Sequence, residues 1–343
     1  MMYRILKSDL PGLYAKIAAN ADLFLPVKNA GKTNYGLWTE AAQVDIDTLK
    51  TVKSAKDVFF PQSENLYTCG RKEGKLTITP EEHCSHPFVV FGMRACDVRA
   101  VTVLDNVFLS DPVDTYYKAR REHGTIVSLA CHRPETSCFC GTFGIDSAAP
   151  EGDVAAWAVE DYLYWLPQTD KGAALTEQVK DLLQQCGEEK VEQEKKDIRG
   201  IMERLPLHDL TTEGWGAEAA QNNFDSPLWE ELYKPCLACG TCTFVCPTCQ
   251  CYDIKDYDTG KGGVQRYRCW DSCMYSDFTL MAAGNNRTSQ LQRFRQRFMH
   301  KLAYYPANNN GMFSCVGCGR CVEKCPTHLN IVKVMKAFQK EGQ

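Results

Sequence analysis

Apolar positions along the first half of the chain fall into short uninterrupted runs rather than one long period. "DVFFP" (57–61), "PFVVFGMRACD" (87–97), "TIVSLACH" (125–132) and "AWAVEDYLYWL" (156–166) are rich in Val, Ile and aromatic residues and predict buried strands. "VRAVTVLDNVF" (98–108) instead repeats its apolar residues at helical spacing and predicts a helix directly after a strand. Repetition of such units predicts an α/β domain over residues 1–168, with a parallel sheet as the expected layer. Charged, helical sequence broken at Gly187 and Gly200 follows, so residues 169–226 are expected to form a helical connector. The remainder, 227–343, carries dense cysteine groups and closes on the helical "NIVKVMKAFQK". The fold class expected is thus α+β or α/β, with a compact metal-binding domain at the C-terminal end.

A length of 343 residues allows two or three domains, and a formal charge of −4 creates no field that would draw in nucleic acid. No run approaches the roughly 20 apolar residues of a membrane-spanning helix, and the first residues lack the apolar core of a signal peptide. Nineteen cysteines, odd in number and clustered, fit free thiols that bind metal in a reducing cytoplasm better than a disulfide framework.

The clusters have a definite spacing. Cys236, Cys239, Cys242 and Cys246 stand at C-x2-C-x2-C-x3-C-P, and Cys315, Cys318, Cys321 and Cys325 repeat it. Structural zinc would call for separated C-x2-C pairs, so iron–sulfur is the favoured chemistry. The doubled run is similar to that of bacterial two-cluster ferredoxins, in which the fourth cysteine of each run serves the other cluster. That resemblance implies one [4Fe–4S] cluster on Cys236, Cys239, Cys242 and Cys325, and a second on Cys315, Cys318, Cys321 and Cys246. The interval between the runs, 247–312, is much longer than in a small ferredoxin and must leave and return without separating them.

The insert strings "CPTCQCYDIKD", "RCWDSCMYSDF" and "MAAGNNRTSQLQRFRQRFMHK" resemble the iron–sulfur subunits of anaerobic sulfite reductase (A subunit) and cytosolic sulfhydrogenase (beta subunit). "FGMRACDVRAVTVLDNVF" and "CHRPETSCFCGTFG" extend the likeness to the first half. The resemblance implies a non-catalytic relay in an anaerobic organism. It would carry electrons between a flavoprotein subunit that binds FAD and NAD(P), or a ferredoxin, and a separate catalytic subunit. The chain itself has no G-x-G-x-x-G to cradle a dinucleotide, which leaves the flavin and nicotinamide sites to a partner. A self-contained iron–sulfur reductase and a structural or regulatory iron–sulfur protein are the rival readings.

Cys96 and Cys131 each end a predicted strand, which would bring both thiols to one sheet edge, with "CFC" adding Cys138 and Cys140 if the loop bends. A third [4Fe–4S] cluster on these four is favoured over structural thiols and zinc, with Asp97 as a helix N-cap. Cys249, Cys251 and Cys273 are candidates for an additional site, against a slightly favoured reading, shared with Cys269, of packed thiols. Cys69, Cys84 and Cys186 read as structural. In "LQRFRQRFMHK", Arg293 and Arg297 suggest a docking face, weighed against an ordinary solvated one, and His83, His86, His123 and His132 read as polar loop residues.

Overall fold

A computed structural model describes residues 1–72, 74–260 and 262–341. An eight-stranded sheet organises the first part of the chain. Its members are β1 (Tyr3–Leu6), β2 (Asp22–Asn29), β3 (Lys32–Leu37), β6 (Phe88–Met93), β7 (Gly124–Leu129), β8 (Val154–Val159), β9 (Tyr162–Pro167) and β10 (Gln184–Gln185). They run in the order β10-β1-β9-β8-β7-β6-β2-β3. The central neighbours β2, β6, β7 and β8 are parallel, and both flanks are antiparallel. A parallel centre must be covered on both faces. Helices Leu10–Ala18 and Asp170–Gln178 cover one face through Leu13, Ile17 and Leu175, and helix Ala95–Phe108 covers the other through Val98, Val101 and Leu104. Helix Glu189–Met202 lays Val191 and Ile198 against Trp157 and Ala155 of β8. Helices within the stretch expected to connect the two halves thus line the sheet, while Leu210 and Ala219 farther along pack with Phe294 and Phe298, and Gly200 lies inside a helix instead of ending one.

Two apolar runs resolve differently from their pattern. "DVFFP" is a short helix, Lys56–Phe59, whose Phe59, with the adjoining Phe60, fills the core beside Phe88 and Phe108. The long run 156–166 folds back on itself as the β8–β9 hairpin, because Glu160, at φ 52°, and Asp161 form its turn. Polar residues at that point were the turn signal.

A second sheet of four strands was not foreseen. Strands β4 (Ser63–Lys72) and β5 (Lys75–Pro80) of the first half pair with β11 (Tyr252–Asp258) and β12 (Val264–Trp270) of the insert, in the order β11-β12-β4-β5. The excursion between the ferredoxin-like runs is thus anchored on the first part of the chain. Arg268 of β12, buried, pairs with Glu64 of β4 and with Asp114, which also caps helix Thr115–His123 through the Tyr117 amide. No helix among the described residues is long and apolar enough to cross a membrane.

Candidate iron–sulfur sites

Each ferredoxin-like run forms a loop followed by a single helical turn, Thr241–Phe244 or Arg320–Lys324. Gly240 (φ 73°) and Gly319 (φ 77°) precede these turns in the left-handed region that glycine tolerates without strain. Their lack of a side chain also serves packing. A Cβ on Gly240 would lie 2.6 Å from the Tyr275 hydroxyl, and one on Gly319 would lie 2.5 Å from the Ser137 carbonyl.

The structure brings the cysteines of the two runs together in two mixed sets. Cys236, Cys239, Cys242 and Cys325 line one cavity, with Phe294, Phe298, Met274 and Leu329 as its apolar wall. Cys246, Cys315, Cys318 and Cys321 line a second, closed by Phe139 and Ile331. Tertiary folding alone assembles the third set. Cys96 and Cys131 follow the carboxyl ends of the paired parallel strands β6 and β7, and a 3-10 turn at Cys140–Phe143 bends the loop. Cys96, Cys131, Cys138 and Cys140 then face one cavity.

The cavities form a series. Arg297 lines the first and the second, and Gly317 with Cys318 lines the second and the third. That last wall is very close: the Phe139 amide donates to the Gly317 carbonyl at 2.9 Å, and a Cβ on Gly317 would sit 2.4 Å from the Phe139 carbonyl oxygen. Ala95, Ala100 and Ile145 pack with Val316 in the same seam.

Buried positive charge surrounds these thiols, and the sequence reading had missed it. Arg297 is 3% exposed, so its helix face is neither a docking surface nor solvated. Its Nε donates to Cys242 Sγ at 3.1 Å and its Nη2 to the Cys242 carbonyl at 3.0 Å, while Nη1 is buried without a partner. Four residues on, within a π-helical turn at His300–Tyr304, buried Lys301 donates to Thr248 Oγ1 at 2.6 Å. The signal was present, because Arg297 and Lys301 fall at helical spacing from Phe294 and Phe298, on the apolar stripe itself. Near the third cavity, Arg94 donates to the Ala130, Ile46 and Thr48 carbonyls, and Lys50 reaches Glu135 and Glu323. Asp97 is no N-cap, since Arg94 holds that position. It is instead fully buried in a bidentate pair with Arg320, at 2.6 and 2.7 Å.

Burial pushes the Cys131 thiol up to about 11 and Cys315 up to about 12, so without a metal both would stay protonated at neutral pH. Among the described residues no three His, Cys, Asp or Glu side chains converge closely enough to hold a single metal ion. The thiols ring shared cavities in sets of four, flanked by cations and one orphaned guanidinium nitrogen. That donor set fits a multi-iron cluster bearing net negative charge.

The histidines stand elsewhere. His83 stacks on Tyr116, His123 bonds the Ala119 carbonyl, His132 bonds Glu194 at 2.7 Å, and His86 is exposed.

Comparison with known proteins agrees with the C-terminal geometry. Residues 235–329 match the family described as the 4Fe-4S dicluster domain. Over 343 aligned residues the chain is 30% identical to the sulfhydrogenase 2 subunit beta of Pyrococcus furiosus, covering 98% of both chains. No solved structure matches it.

Proposed function

Since the chain belongs to the family of the sulfhydrogenase beta subunits, we propose that it is the iron–sulfur electron-transfer subunit of a multi-subunit anaerobic, cytoplasmic oxidoreductase. In this reading Cys236, Cys239, Cys242 and Cys325 hold one [4Fe–4S] cluster, and Cys315, Cys318, Cys321 and Cys246 a second. Cys96, Cys131, Cys138 and Cys140 hold a third. Such clusters supply one-electron transfer, and the chain contributes no substrate chemistry.

The observation that carries the reading is the series of three cysteine-lined cavities sharing walls at Arg297 and at Gly317–Cys318. Adjacent centres suit stepwise electron movement, whereas a structural role needs no such sequence. The buried cations hold negative charge in place and favour the reduced state. Apolar walls of Phe294, Phe298 and Ile331 keep water away from the first two sites.

The ends of the series are the places for partners. At one end Cys239 is exposed beside Leu237, which is 65% exposed. At the other, the third cavity adjoins a polar cleft of about 360 Å³ lined by Lys7, Asp47, Arg94, His132 and Arg133. A flavoprotein subunit carrying FAD and NAD(P), or a ferredoxin, would meet one end. A hydrogenase-type catalytic subunit would meet the other.

Iron and acid-labile sulfide, counted on anaerobically purified protein, test the reading through Cys138→Ala. A loss of about four irons per chain supports the third centre. An unchanged count restricts the relay to the ferredoxin-like pair.

A further inference from the structure

Three further thiols stand against this relay without lining any of its cavities. Cys249 and Cys251 lead into β11, and Cys273 follows β12, held alongside by the Asp271 amide, which donates to the Cys251 carbonyl at 2.9 Å. The Cys251 and Cys273 side chains lie within interaction range of each other, as do those of Cys249 and Cys246, the residue that also lines the second cavity. The second sheet is therefore what brings the group together.

The charge around them is unbalanced. Lys56, 5% exposed, donates to the Cys249 carbonyl at 2.9 Å and lies 3.5 Å over the Trp270 ring. Lys301, 4% exposed, bonds Thr248 Oγ1 and the Ser314 carbonyl, and Arg297 bonds Cys242. None of these acceptors is a carboxylate. An ammonium buried without a counter-ion is costly, and a cluster in the second cavity is shared between Arg297 and Lys301. Lys56 donates to the Cys249 carbonyl, and a second anion beside it would offset its charge. The thiols again do not close on a single metal ion.

We propose that Cys249, Cys251 and Cys273 hold a further iron–sulfur cluster, beside the second cavity at the root of the inserted sheet. Three protein thiolates leave one iron position for a ligand other than cysteine. The site extends the relay sideways toward the insert, and it rests on the ferredoxin-like pair but not on the third centre.

The test is iron, sulfide and zinc per chain on the full, anaerobically purified protein, comparing wild type with Cys273→Ser and Cys251→Ser. A loss of about three or four irons in either variant, with thermal melting retained, supports the site. Unchanged iron overturns it, as does one zinc per chain that disappears with the thiols. Should both variants fail to fold, the iron left in Cys138→Ala decides. With Cys131→Ala added so that the third centre cannot form, about twelve irons left supports the site and about eight overturns it.

Discussion

Replacing Arg297 by methionine removes one buried positive charge from the wall between the first two cavities while keeping an apolar side chain of similar length. The guanidinium stands 3.1 Å from Cys242 Sγ. Unit charges about 4 Å apart interact by ~4 kcal/mol at an effective dielectric of about 20. An electron entering a cluster is shared over several irons and sulfides, which lengthens the mean separation and reduces the value to ~2 kcal/mol. At about 59 mV per tenfold change for one electron, this corresponds to ~80 mV. Losing a positive charge makes reduction harder, so the potential falls. The larger drop belongs to the centre held by Cys242, and a smaller one to its neighbour. Arg297→Lys keeps the charge without the forked donor and restores most of the wild-type value. Potentiometric titration followed by electron paramagnetic resonance reads both centres. Shifts below about 20 mV in each, or any shift upward, refute the reasoning, because a charge in that wall cannot be silent in a low-dielectric interior.

Asp97→Asn strips Arg320 of its bidentate partner in a fully buried site and should cost roughly 3–5 kcal/mol, read as a lowered urea midpoint; an unchanged midpoint means that neighbouring thiolates carry the compensation. Gly317→Ala places a Cβ 2.4 Å from the Phe139 carbonyl at φ 59°, so the loop of Cys138 and Cys140 must move. Loss of iron from the third centre with the ferredoxin-like pair intact is the expected result. Loading with iron should also release protons. The empty protein holds Cys131 and Cys315 as thiols, burial having raised them to about 11 and about 12, whereas ligands are thiolates. Affinity therefore rises with pH throughout the range below those values and weakens in acid. Anaerobic reconstitution in weak buffer should acidify the solution, and a constant pH would count against thiolate ligation.

The sequence by itself determined whatever is encoded within a few residues. A run of four cysteines with a trailing proline prescribes a turn and gathers its thiols on one loop, so the two ferredoxin-like loops were legible from their spacing. Strands β6 and β7 were likewise legible, being short apolar runs bounded by polar residues. Only the tertiary structure could unite Cys96 and Cys131 with Cys138 and Cys140 in one cavity, since that depends on which strands are neighbours. It alone joined β4 and β5 to the insert, because strand pairing between segments far apart leaves no local mark. Burial of Arg297, Lys301 and Lys56 was decided there too. A cation on an apolar stripe pays for its desolvation only when the fold sets anionic ligands against it, and those ligands come from elsewhere in the chain.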